Sequence, residues 1–168
     1  MSELRTIAYQ IQSAQYAPER HKNLLLIADP EEAVLDAYIH DCQLFECVEN
    51  GDVIGVAAIL DLPDGSVELK NIAIHPLAQR SGIGSALLRF VRARVGSRRL
   101  IVGTADVSSE ALAFYERNGF LRFSVISDFF IDRYAEPVFD NGRRCRDMIL
   151  LEWREDPDES ARIAANGR

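Results

Sequence analysis

The sequence predicts an α/β domain built on a mixed sheet, and three observations carry that prediction. Residues 44–49 and 53–60 are apolar, β-prone runs on either side of Asn50-Gly51-Asp52, and Asn-Gly meets the positive-φ demand of a tight hairpin turn. The apolar period then changes from two in residues 67–74 to helical spacing at Leu87, Leu88, Val91 and Val95, with Pro76 stopping the strand. Finally, residues 100–104 form a continuous apolar run, suited to a buried strand parallel to 67–74 and joined to it through the helix as a right-handed crossover.

Before the hairpin, residues 4–11 read as a first strand, with Ile7, Tyr9 and Ile11 alternating against polar neighbours. Pro18-Glu19-Arg20 opens a helix whose face is Leu24, Leu25 and Ile27, and Asp29-Pro30 ends it. A second short helix places Glu31 and Glu32 at the positive end of its dipole and Val34, Leu35, Tyr38 and Ile39 on one side. Pro63-Asp64-Gly65 makes the next reversal, so that 67–74 pairs antiparallel with 55–60.

Beyond the crossover, Ser108 or Ser109 caps a helix carrying Ala111, Leu112 and Tyr115 on one face, and Asn118-Gly119 supplies its left-handed stop. Residues 122–130 and 145–153 read as the last two strands, and 131–144 as a long polar and aromatic connection of the kind that often carries function.

A chain of 168 residues fits one domain, assigned here to 1–154, followed by a charged tail at 155–168 that is poor in bulky apolar groups. A net charge of -7 argues against nucleic acid and for attraction of cationic molecules. No apolar run is long enough to span a bilayer and no signal peptide opens the sequence, so the expected location is the cytoplasm. Cys42, Cys47 and Cys145 are odd in number and lack metal-ligand spacing, which supports neither a disulfide framework nor zinc.

The chemistry is expected at Gln79-Arg80-Ser81-Gly82-Ile83-Gly84. Glycines one residue apart let the chain turn tightly, so that successive N–H groups point into one small volume. The following helix adds its unpaired N–H groups and the positive end of its dipole, and pyrophosphate suits that place. A Walker loop is excluded because no Gly-Lys-Ser/Thr follows the first glycine. A dinucleotide fingerprint lacks its third glycine, although Asp106 stands near the distance expected of a ribose partner.

Gln-x-x-Gly-x-Gly following the strand end Asn71-Ile72-Ala73-Ile74-His75-Pro76 resembles the acetyl-CoA signature of the GNAT superfamily of N-acetyltransferases. Residues 111–120, Ala-Leu-Ala-Phe-Tyr-Glu-Arg-Asn-Gly-Phe, resemble a second signature of that superfamily in the right order. The resemblance implies a mostly antiparallel sheet of about seven strands with a central splay and helices on both faces. It implies acetyl-CoA as co-substrate, no metal, and an amine acceptor walled in part by the first two helices.

By the same resemblance, Ile72, Ala73 and Ile74 pair with the pantetheine arm, and a backbone N–H near Ile72 stabilises the negative oxygen of the reacting thioester. Gln79, Arg80, Ser81, Gly82, Ile83, Gly84 and Ser85 cradle the pyrophosphate. Glu68 is the candidate base, and Tyr115, also beside the cofactor, the acid that protonates the departing thiolate. Ser108 departs from the asparagine that many relatives use to bond pantetheine. Asp128, Asp132 and Glu136 with Phe129, Phe130 and Tyr134 are candidates to receive a cationic acceptor through charge and cation-π contacts. The expected activity is transfer to a small-molecule amine by direct attack in a ternary complex. A protein N-terminus or lysine is the alternative acceptor, and a non-catalytic acyl-CoA-binding module the alternative class. A homodimer is possible.

Overall fold

The computed structural model describes residues 8–156, in two compact units. The first takes the chain up to Asp61 and then Leu69–Arg94, and the second takes Leu62–Glu68 and the chain from Val95 onward.

In the first unit β1 (Gln10–Ala14) leads into α1 (Pro18–Ala28), α2 (Glu32–Tyr38) and a 3-10 turn at Ile39–Asp41. The hairpin β2 (Gln43–Glu49) and β3 (Asp52–Asp61) follows, then β4 (Val67–Ile74), whose first two residues belong to the second unit, and α3 (Ile83–Val95). β1 sits later than the sequence suggests, and the expected strand residues before 8 lie outside the described residues. Asn50 and Gly51 take φ of 51° and 87°, so the Asn-Gly turn forms as expected.

Leu24 and Leu25 of α1, Leu35 and Tyr38 of α2, Leu44 of β2, Val56 and Ala58 of β3 and Ala73 of β4 pack into one cluster. Full burial of a leucine such as Leu25 or Leu35 contributes about 1.5–3 kcal/mol. On the other face of β3, a Cβ added at Gly55 would stand 2.9 Å from Leu87 Cδ1 and 3.0 Å from Ile74 Cδ1, so a larger residue there would oblige these side-chain ends to shift as α3 packs on β3.

One carboxylate is buried here. Glu46 of β2, 3% exposed, accepts from Gln12 Nε2 (2.8 Å), from Arg20 Nε (2.9 Å) and Nη2 (3.0 Å), and from His21 Nε2 (2.8 Å). His21 Nδ1 accepts the Ala17 N–H at 3.0 Å, which places the ring proton of the neutral imidazole on Nε2, facing Glu46. Arg20, followed by His21 and Gln12, holds the Glu46 carboxyl down to about 2 against the opposing effect of burial.

The second unit contains β5 (Leu100–Ala105), α4 (Ser109–Arg117), β6 (Leu121–Ile126), α5 (Phe129–Arg133), the short pair β7 (Phe139–Asp140) and β8 (Arg143–Arg144), and β9 (Met148–Trp153). β9 pairs antiparallel with β5 on one side and β6 on the other, and the β6 register shifts between Arg122 and Ser124. At the start of β4 the Val67 N–H donates to Arg99 O, just before β5, at 2.9 Å.

The sheet has seven strands in the order β1-β2-β3-β4-β5-β9-β6 and is mostly antiparallel, the fold class that the sequence predicts. The region after β6 differs from expectation. The strand expected to reach Phe130 ends at Ile126, because Asp128 adopts φ 55° and starts α5, its N–H held by the Asp147 carboxylate at 2.9 Å. The connection contains a hairpin turned at Asn141-Gly142, with φ of 48° and 74°. The last strand begins at Met148, since Cys145 is drawn into the connection by its N–H bond to Val138 O at 2.8 Å.

The tail assigned to 155–168 lies outside the described residues from 157 onward. No helix among the described residues is long and apolar enough to cross a membrane.

Candidate active site

In the first unit the end of β4 runs into a 3-10 turn at Pro76–Ala78, capped by His75 Nδ1, which accepts the Leu77 N–H at 3.2 Å. The turn expected to cradle phosphate follows. Arg80 and Gly82 hold positive φ, 58° and 85°, while Gly84 already lies in the first turn of α3. Of the two glycines only Gly82 is required by backbone conformation.

Gln79 Nε2 donates to Ile74 O at 3.1 Å, and Ser81 Oγ donates to Ala78 O. Both side chains therefore brace the turn, and what it offers outward is backbone N–H. Ala86 N–H makes the first helical bond, to Gly82 O at 3.0 Å, so the N–H groups of Ile83, Gly84 and Ser85 precede the α-helical ladder. Gln79, Arg80, Ser81 and Gly82 are exposed, and a Cβ added at Gly82 would meet nothing within 4 Å. An open turn leading into N–H groups at the positive end of a 13-residue helix fits a pyrophosphate.

Gly82→Ala is expected to weaken acetyl-CoA binding severalfold. A side chain at φ 85° costs about 1–2 kcal/mol in the left-handed region, so the turn relaxes and its N–H groups lose their common aim. Calorimetric titration checks it, and an unchanged Kd would show that the turn geometry is dispensable.

Along β4 burial alternates residue by residue. Val67, Leu69, Asn71 and Ala73 are buried, and Glu68, Lys70, Ile72 and Ile74 are half-buried. Glu68 thus shares the pleat direction of Ile72 and Ile74, the segment expected to pair with pantetheine.

The second unit carries the tyrosine. Tyr115 lies on α4, 7% exposed, its ring 5.3 Å from that of Phe114 and 5.5 Å from that of Phe120. Burial pushes its phenol well above the ordinary value, so the hydroxyl keeps its proton through the physiological range. Ser108 stands at the N-cap position of α4 but does not cap it with its side chain. Its hydroxyl donates to Asp140 Oδ2 at 2.5 Å, fastening the β7–β8 hairpin to the start of α4. No spacing rule links residues 108 and 140, which is why the sequence does not reveal this contact.

The carboxylate and aromatic cluster forms in part. Phe130 lies 5.2 Å from Phe129 and stacks on Tyr134 at 5.5 Å, with the Arg133 guanidinium 4.8 Å over Phe129. Asp128 is paired with Arg146 Nε at 2.7 Å, and Asp132 and Glu136 are exposed. Among the described residues no group of three or more His, Cys, Asp or Glu could hold a metal ion.

A helix-terminal N–H cradle thus follows the fourth strand of a seven-stranded mixed sheet. Residues 40–122 match the sequence pattern of the acetyltransferase (GNAT) domain family. The chain is 31% identical over 132 residues to the uncharacterized N-acetyltransferase YvbK of Bacillus subtilis, spanning 77% of this chain and 85% of that relative.

Among solved structures, a GNAT family acetyltransferase from Elizabethkingia anophelis with acetyl-CoA bound superposes with a TM-score of 0.81. It is 31% identical, covering 88% of this chain and 98% of that one. The IAA acetyltransferase from Bacillus cereus gives a TM-score of 0.79 at 35% identity, covering 88% and 100%. The chain belongs to the GNAT superfamily of acetyl-CoA-dependent N-acetyltransferases.

Proposed function

We propose that this enzyme acetylates a primary amine of a small molecule by direct attack of that amine on acetyl-CoA in a ternary complex. The observation that supports the reading is the N–H turn at 79–85, exposed at Gln79 to Gly82, with its side-chain braces at Gln79 and Ser81 bonded back to the chain. The net charge of -7 supports a cationic acceptor over an anionic one.

An alkyl ammonium with a pKa near 10 is neutral in only about one molecule per thousand at pH 7, a deficit of about 4 kcal/mol. Glu68 takes that proton, directly or through water, and general-base help of this kind is worth about 10² to 10⁴ in rate. Bound acetyl-CoA supplies the acetyl group as a thioester and departs as the thiol. The backbone N–H near Ile72 donates to the carbonyl oxygen as it gains charge. Tyr115 donates to the sulfur as the carbon–sulfur bond breaks. Gln79, Arg80, Ser81, Gly82, Ile83, Gly84 and Ser85 hold the phosphates and Ile72, Ala73 and Ile74 the pantetheine arm. Ser108, committed to Asp140, serves the cofactor only by shaping the start of α4.

Thiol release from acetyl-CoA against polyamines, aminoglycosides, amino acids and short peptides tests the reading. Release with one class of small amine supports it, and release confined to peptides or intact proteins moves the acceptor to a protein N-terminus or lysine. In the same assay Glu68→Gln lowers kcat by about 10²-fold at pH 7 and makes the rate climb further with pH, since neutral amine then comes only from solution. An unchanged pH profile would remove Glu68 from the mechanism.

A further inference from the structure

Positive charge is gathered on one stretch of this chain. Residues 69–105 contain seven lysines and arginines and no aspartate or glutamate, so all 26 acidic residues of a protein with net charge -7 lie outside it. The turn at 79–84 and α3 stand in the middle of that stretch, and cations unmixed with carboxylates favour an anionic guest.

Several of these cations are engaged. Lys70 Nζ lies 4.9 Å over the Tyr38 ring, the Arg94 guanidinium lies 5.2 Å over Phe90, and Arg98 Nε donates to Val95 O at 3.2 Å. Arg99 is paired with Glu152. Arg89 of α3 differs. It is exposed, and among the described residues no hydrogen bond, ion pair or ring contact holds it.

The helix relates Arg89 to the turn. Arg89 follows Ser85 by four residues, so the two share a face of α3 and stand about 6 Å apart along its axis. Helical Cα–Cβ bonds tilt toward the N-terminus, and a long side chain covers the turn before its own. The guanidinium is thereby directed back toward Ser85, the last of the three N–H groups that precede the helical ladder.

A pyrophosphate on those N–H groups leaves Arg89 unused, and acetyl-CoA has one more phosphate to offer. Its ribose carries a 3′-phosphate monoester, with a charge of about -1.5 to -2 at pH 7 and three acceptor oxygens. Three sugar carbons separate that group from the pyrophosphate, so the two stand little more than one helical turn apart. The planar fork of an arginine matches the oxygens of such a group two at a time.

We propose that Arg89 binds the 3′-phosphate of acetyl-CoA and makes the enzyme select thioesters of CoA over those that lack this phosphate. This rests on the pyrophosphate seat at 79–85 and adds to it the residue that reads the cofactor's other end.

The test compares acetyl-CoA with acetyl-3′-dephospho-CoA, identical except for the monoester, by calorimetric titration. Wild type is expected to bind acetyl-CoA tighter by about tenfold, as a charge-assisted contact partly screened by solvent allows. Arg89→Gln reduces that preference to twofold or less by weakening acetyl-CoA alone, and its Kd for the dephospho compound stays within twofold of wild type. Arg94→Gln removes the same charge from the same helix, about 140° further round it, and keeps the preference.

No preference in wild type overturns the inference. So does a preference that survives in Arg89→Gln, or one that falls equally in Arg94→Gln and so reports only the charge of the helix. In each of these cases tight binding of both compounds, weakened alike by Gly82→Ala, leaves the pyrophosphate seat standing. Failure of wild type to bind either compound would overturn the seat together with the inference.

Discussion

Tyr115→Phe lowers kcat for acetyl transfer by about 10²-fold or more, with the acetyl-CoA Kd and the melting temperature close to those of wild type. The phenyl ring keeps the packing against Phe114 and Phe120, and only the hydroxyl is lost. A phenol at its ordinary value is about 1.5 units less acidic than a thiol, so donating to a free thiolate is uphill by about 2 kcal/mol. Burial raises that barrier by weakening the phenol further.

In the proposed mechanism a thiolate leaving beside the buried phenol would be more basic for the same reason, and the proton would pass as the carbon–sulfur bond breaks. Because the folded phenol titrates above its ordinary range, the alkaline limb of the kcat profile below pH 10 does not belong to Tyr115. Stopped-flow thiol release over pH 6 to 10 checks both statements. Wild-type turnover in the Phe variant would assign thiolate protonation to water.

Glu46→Ala destabilises the fold by about 3 kcal/mol, the scale for stripping one partner from a buried ionic cluster. For a domain of this size that is a fall of about 6–12 °C in melting temperature. Four donor nitrogens on three side chains lose their acceptor together, and His21, 1% exposed, cannot turn to water.

The pH sign follows from the depressed carboxyl. Its folded value of about 2 lies below the unfolded value of 4.5, so the contribution is complete above the unfolded value and disappears as pH falls through the folded one. Wild type and variant should therefore differ most near neutrality and converge toward pH 2. Urea melts at pH 7, 4 and 3 measure this, and a constant difference across that range would show that Glu46 stabilises by packing alone.

The parts of the fold that local chemistry dictates were legible. Pro18 starts α1, Asn50-Gly51 turns the hairpin, β4 spans the expected residues, and the period change marks α3. The second half of the chain was less legible because its elements are set by distant partners. Asp128 turns left-handed because the Asp147 carboxylate holds its N–H, and Cys145 leaves the final strand because Val138 accepts its own. Asn141-Gly142 carries the same turn signal as Asn50-Gly51, but its flanks, Phe139-Asp140 and Arg143-Arg144, lack apolar alternation.

At the candidate site, the turn at 79–84 was readable as a pattern and the reason for its glutamine was not. Gln79 ties the turn to β4 through Ile74 O, a bond visible only in three dimensions. The bonds of the buried Asn71 Nδ2 to Leu25 O on α1 and to Tyr38 Oη on α2 span 46 and 33 residues, and no spacing rule could have found them.

The outer strand β6 bears on how this protein survives at high concentration. All six of its residues are exposed, among them Leu121 at 72% and Val125 at 53%, and an open apolar strand edge is a template on which other chains polymerise. The register shift between Arg122 and Ser124 removes a rung from that template at its centre. Arg122, anchored by Glu116 at 2.6 Å, plants a charge there, and the Arg99 guanidinium lies 4.3 Å over the Phe123 ring. An irregularity that looks like imperfect pairing thereby guards the chain against fibrous growth from its own edge.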